Sequence, residues 1–198
     1  MNGSSEIIEL ENRARLVKLV EEFKPVGTPL PGWDPPLEIG IGGLQSIGFS
    51  EDSTHLLAVS ASGRGAFEVA TGQRVGRDYD SSYKWLDTGR LTCEGIGSLE
   101  QQRVPIAGLF GGGLALTTDA GESVEKISPF WPVEMVVYSS GHDRWYSHPE
   151  RCIVAYQEHA IVAHGFSPSG NCLVVAISSE IWIYNRSGKS PLGSAYRG

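Results

Sequence analysis

Gly48-Phe49-Ser50-Glu51-Asp52-Ser53-Thr54-His55-Leu56-Leu57-Ala58-Val59 and Gly165-Phe166-Ser167-Pro168-Ser169-Gly170-Asn171-Cys172-Leu173-Val174-Val175-Ala176 are two versions of one unit. Each runs on through a polar loop into a second apolar stretch that closes at Thr71-Gly72 or Ser187-Gly188. A strand, a tight polar turn and further strands repeat, which predicts β structure built from duplicated hairpins. Phe49 and Phe166 are 117 positions apart, and Gly72 and Gly188 are 116 apart. The one-residue slip falls in a loop, where an insertion costs least. In the second copy Pro168 sets φ at the first corner of the turn and Gly170-Asn171 tolerates the left-handed region after it. Ser50-Glu51-Asp52-Ser53 is the same turn with weaker chemistry.

Outward from these units, short apolar runs alternate with Gly, Ser, Asp and Asn from Ile39 onward. They include Val104–Phe110, Leu114–Thr118, Val124–Ile127, Val133–Tyr138 and Cys152–Tyr156. Asp119-Ala120-Gly121-Glu122 reads as a hairpin turn between two of them. Before the β body, Ile7, Leu10, Ala14, Val17, Val20 and Phe23 recur every three or four residues, which predicts one helix over 5–23 capped by Ser4 or Ser5 and stopped by Pro25. The helix either packs on the sheets or serves as a separate partner-binding element. Residues 25–37, rich in Pro and Gly around Trp33, read as a semi-rigid linker, and 38–198 as the β body of a single domain spanning 1–198.

Phe166-Ser167-Pro168-Ser169-Gly170, Leu173, Ile181-Trp182-Ile183-Tyr184-Asn185 and Ser187-Gly188-Lys189 resemble the middle and end of a WD40-type β-propeller blade. Phe49-Ser50-Glu51-Asp52, Leu56, Ala66-Phe67-Glu68-Val69 and Thr71-Gly72-Gln73 form a more diverged copy, so the blade-like units lie around 45–73 and 161–189. The chain departs from the pattern at specific places. No Gly-His dipeptide precedes either copy, Tyr184-Asn185 and Glu68-Val69 replace the Trp-Asp pair, and adjacent blades would lie about 40 to 45 residues apart. The resemblance implies a mainly β protein, a small or partial β-propeller-like fold or a set of twisted antiparallel sheets with one N-terminal helix. It also implies a rigid scaffold that presents loops, with diverged units between the two clear ones. Phe110-Gly111-Gly112-Gly113-Leu114 is a candidate for part of one of them.

The 198 residues carry 23 Asp and Glu against 16 Lys and Arg, a net charge of −7. That is the wrong sign for neutralising phosphates, so nucleic acid and anionic membrane are not expected partners, whereas a basic protein is. No apolar stretch reaches the roughly 18 to 20 residues of a membrane span. Met1 to Glu9 has no signal-peptide pattern, and Cys93, Cys152 and Cys172 lack C-x-x-C spacing, so free thiols and a cytoplasmic location are expected.

Two catalytic motifs fail on their own chemistry. Gly40-Ile41-Gly42-Gly43-Leu44-Gln45 begins like a dinucleotide fingerprint but lacks its last glycine and a following helix. Gly165-Phe166-Ser167-Pro168-Ser169 resembles a nucleophile elbow until Pro168 removes an N–H that an oxyanion hole needs. His142, His148, Cys152, His159 and His164 cluster in sequence, with spacings open to zinc but no C-x-x-C or H-E-x-x-H frame. No cofactor or metal is expected. The segments richest in recognition chemistry are Asp78, Tyr79, Asp80, Tyr83 and Trp85, and His142, Asp143, Arg144, Trp145 and Tyr146, because aromatic and Arg side chains dominate interface hot spots. The alternative is that Trp85 and Trp145 anchor their loops on the sheets.

The expectation is a non-catalytic protein-binding module, similar in size, charge and lack of catalytic frame to bacterial immunity proteins that neutralise toxin effectors. The competing classes are a scaffold subunit of a larger complex and a metal-dependent hydrolase using the His142–His164 cluster.

Overall fold

In the computed structural model, which describes residues 3–141 and 144–188, both Gly-Phe-Ser units fold as hairpins closed by one kind of turn. The Ser50 N–H donates to the His55 carbonyl at 2.9 Å, and the Ser167 N–H to the Cys172 carbonyl at 2.8 Å. Each serine hydroxyl oxygen then accepts from the amide five residues on, at 2.9 Å from His55 and 3.2 Å from Cys172. The corner residue is left-handed in both copies, with φ +63° at Ser53 and +67° at Gly170. Only the second copy has the residue that adopts this conformation without a Cβ penalty. The two turns also touch: the Ser169 N–H donates to Ser53 Oγ at 3.0 Å.

In chain order the elements are α1 (Gly3–Val20), β1 (Leu37–Gly40), β2 (Leu44–Phe49), β3 (His55–Ser60), β4 (Gly63–Glu68), β5 (Arg74–Asp78), β6 (Leu86–Asp87), β7 (Thr92–Glu94) and β8 (Arg103–Pro105). There follow β9 (Ala107–Gly108), β10 (Ser123–Phe130), β11 (Val133–Ser139), β12 (Ile153–His159), β13 (Ile161–Phe166), β14 (Cys172–Ile177) and β15 (Glu180–Asn185). The protein is mainly β: the described residues form four antiparallel sheets and one N-terminal α-helix, and among them none of the sheets closes on itself. The chain divides into two compact units, Met1–Leu30 with Asp119–Ala160, and Pro31–Thr118 with Ile161–Gly198.

The larger unit holds three sheets, ordered β5-β4-β3-β2-β9, β1-β15-β14-β13 and β6-β7-β8. Both repeat copies lie here. Alternation within β3 explains the apolar run Leu56–Val59. Leu56 and Ala58 enter a core shared with Cys172, Val174 and Ala176 of the other copy. Leu57 and Val59 point the other way, onto Trp85, Cys93, Leu99 and Val104. A strand covered on both faces reads as continuously apolar rather than alternating. Each fully buried Leu in such a layer stabilises the fold by roughly 1.5–3 kcal/mol.

β1, from the N-terminal part of the chain, completes the sheet of the second copy by pairing with β15, Leu37 opposite Ile183 and Ile39 opposite Ile181. Part of the expected linker is thereby fixed. Trp33 stacks on Phe166 at 5.9 Å with the Arg186 guanidinium 3.9 Å from its ring centroid, and the Asp34 N–H donates to the Asn185 carbonyl. The run Leu114–Thr118 forms no strand; Ala115 makes an isolated bridge to Phe166, and Thr117 is a further bridge residue. Asp119-Ala120-Gly121 therefore turns into β10 without forming a hairpin, with Gly121 left-handed at φ +83°. The glycine run after Phe110 is a tight turn in which a Cβ on Gly112 would lie 1.9 Å from the Ile106 carbonyl oxygen.

The smaller unit joins α1 to the sheet β10-β11-β12. α1 packs through its C-terminal end. Val20, and Phe23 just beyond the helix, meet Met135, Val137, Cys152 and Val154, while Ile8 and Leu10 stay exposed. The periodicity runs the whole length of the helix, but the sheet covers only its last turns. After the helix, Lys24 adds a parallel bridge to Ile153. No helix among the described residues is long and apolar enough to cross a membrane.

Candidate binding surfaces

The acidic aromatic loop after β5 in the larger unit is organised from within. Arg64, nearly buried on β4, forks onto Asp78 through Nε and Nη2, donates through Nη1 to the Glu94 carbonyl at 2.6 Å, and lies 4.8 Å from the Trp85 ring centroid. Donation by Arg64 holds the Asp78 carboxyl below the usual carboxylate range. Asp78 Oδ1 accepts the Asp80 N–H and Asp80 Oδ1 accepts the Ser82 N–H, so the two acids shape the turn. Trp85, 3% exposed, sits in the core and donates its indole N–H to the Asp80 carbonyl. Tyr83 packs on Trp85 at 5.2 Å and donates to Gln45 Oε1. Of the loop's aromatics only Tyr79 faces solvent broadly, at 75%.

The second predicted segment, in the smaller unit, behaves similarly. Glu125 on β10 accepts from Arg144 at 3.2 Å and from the Trp145 indole at 3.0 Å. Trp145 meets Phe23 edge to face at 6.5 Å and packs on the core beneath α1. Arg144 and Trp145 are thus anchors, and Tyr146 is the aromatic left exposed. His142 and Asp143 lie outside the described residues.

The most exposed tryptophan of the described residues is one that loop composition did not single out. Phe130 and Trp131 form the tip of the β10–β11 hairpin, and Trp131 is 72% exposed. A signal was present in Pro129-Phe130-Trp131-Pro132: prolines on both sides cannot belong to the interior of a central strand, so the aromatics between them had to lie at an edge or a tip. The smaller unit is also the more acidic. Its 12 Asp and Glu against 7 Lys and Arg give a formal charge of −5, leaving −2 for the larger unit.

The residues considered for chemistry are dispersed or occupied. His148 is half exposed and lies 3.5 Å from Glu150, whereas Cys152 is buried with Sγ 3.1 Å from Ser139 Oγ. The side chain of His159 lies outside the described set, as does His142. Among the described residues no three His, Cys, Asp or Glu side chains are grouped to hold a metal ion. Ser167 is buried in its turn, and Gly40–Gln45 passes from strand through turn to strand. Burial pushes the Cys93 thiol up to about 11 and raises Cys172 as well, and all three cysteines are buried. No family model and no curated protein matches the chain.

Proposed function

We propose that the protein works by stoichiometric binding of a basic protein partner in the cytoplasm, without catalysis, in the manner of an immunity protein that neutralises a toxin. The observation that carries this reading is Trp131, 72% exposed at the tip of a hairpin in a unit of charge −5. Phe130 is exposed beside it, and tryptophan is the residue type most enriched at binding hot spots. The unit's net negative charge would steer a basic partner toward it. The sheets then serve as scaffold. Two features support reading that scaffold as a partial propeller: the matching turns of the two copies, and the addition of the N-terminal strand β1 to the edge of the C-terminal copy's sheet.

The test is co-purification from the native host followed by titration of the recovered partner. A basic protein bound one to one, with affinity that falls as salt rises and by about 100-fold in Trp131→Ala, is expected; a loss of 2 kcal/mol or more is usual for a hot-spot residue. Recovery of a large assembly whose formation ignores Trp131 would point instead to a scaffold subunit.

A further inference from the structure

At one edge of the core shared by the two repeat copies, a pocket of about 500 Å³ opens within the larger unit, a size typical of small-molecule sites. Ala58 and Phe67 line its apolar part, and Gly40 and Gly42, with no Cβ to fill it, border it from the end of β1 and the turn that follows. Its charged lining is all of one sign: Arg74 and Arg77, and no Asp or Glu. That is unexpected in a chain of charge −7.

The backbone explains how both arginines reach one face. Opposite β4, the register of β5 jumps from Phe67↔Arg74 to Ala66↔Gly76, so Val75 is an extra residue in a bulge. Without the bulge, residues three apart would point to opposite faces. With it, Arg74 stands across from Phe67 and Arg77 across from Gly65.

Arg77 is held in place by two carbonyls, donating to Ser62 at 2.8 Å and Arg64 at 3.0 Å, and lies 4.4 Å from the Tyr79 ring centroid. A guanidinium has five N–H donors, so three remain for a ligand. The neighbouring acid Asp78 is engaged by Arg64. The Arg74 side chain makes no hydrogen bond or ion pair with any described residue.

We propose that this pocket binds a small ligand through an oxyanion, a phosphate or carboxylate group, gripped by Arg74 and the pre-positioned Arg77, with the ligand's apolar part against Phe67. The site is separate from the Trp131 surface and stands or falls independently of it. The full chain, ¹⁵N-labelled, would be titrated separately with inorganic pyrophosphate and with citrate. Saturable shifts of the Gly40, Gly42, Gly65 and Gly72 amides are expected, stronger with pyrophosphate if the natural group is a phosphate and with citrate if it is a carboxylate. Arg74→Glu, at an exposed side chain with no partner to lose, should weaken binding at least about tenfold while the rest of the spectrum stays unchanged. Arg77→Lys, which keeps the charge but not the fork, should weaken it too. Shifts that fail to saturate with either probe, or that are equally strong in Arg74→Glu, would overturn the site.

Discussion

The loop that ends at Trp85 and the hairpin tip that carries Trp131 are both short aromatic segments between strands, yet they spend their tryptophans in opposite ways. Trp85 is buried, with Arg64 over its ring and its indole N–H bonded within the loop. Trp131 is mostly exposed to water. The acids differ likewise. Asp78 and Asp80 accept from their own loop and from Arg64, so they build structure first. Aromatic and acidic composition therefore does not separate an anchor from a contact surface; what separates them is whether the fold supplies partners for the ring and the carboxylates.

The widest gap should appear between the two tryptophans. Trp85→Ala is expected to cost about 3–5 kcal/mol by denaturant unfolding, because a large cavity opens in the layer of Leu57, Val59 and Cys93. Trp131→Ala should change stability by less than about 0.5 kcal/mol. Equal losses at both positions would end the distinction.

Arg64→Met is the next largest, at about 2–3 kcal/mol, since Asp78 and the Glu94 carbonyl lose their donor. The same pair gives a pH signature. Asp78 titrates below an unfolded aspartate, so its contribution is present above the ordinary carboxylate range and is lost as pH falls through the lower folded value. The stability gap between the wild type and Asp78→Asn should thus be open at about pH 6 and close below about pH 4. A gap that persists to acid pH would assign the effect to packing.

A smaller comparison concerns the two turns. Gly170→Ala should cost about 1–2 kcal/mol, because a Cβ there is disfavoured by the φ of +67° and meets only ordinary contacts at Thr118. Ser53→Gly relieves the same strain in the first copy but gives up the hydroxyl that accepts from Ser169. The two effects should nearly cancel. The smallest signal is the absence of one: with all three thiols buried and those of Cys93 and Cys172 shifted upward, the native protein should react with a thiol reagent at neutral pH only as fast as it opens.

What was legible in the sequence follows the same logic of local against distant causes. The run Leu56–Val59 and the turn at Pro168–Asn171 depend on near neighbours, and both are found where their residues place them, whereas the helix ends at Val20, short of the expected Phe23. Fixing Trp33 needed Phe166 and Arg186, more than 130 positions away, and no local pattern announces such a contact. β5, as polar as Arg-Val-Gly-Arg-Asp, is a strand because it pairs with β4, not because of its propensity. The bulge at Val75 that turns Arg74 and Arg77 to one face is set by that pairing as well. The inward turn of Trp85 was open because it depends on Arg64, 21 positions away, whereas the outward turn of Trp131 had a local signal in the prolines on either side of it.

The central claim is that the exposed tryptophan of the acidic unit is a contact for a basic protein. Isothermal titration of the partner recovered from the native host, against wild type and Trp131→Ala of equal stability, tests it directly. One-to-one binding to the wild type that weakens with salt and falls about 100-fold in the variant is expected. Undiminished binding to Trp131→Ala would contradict it.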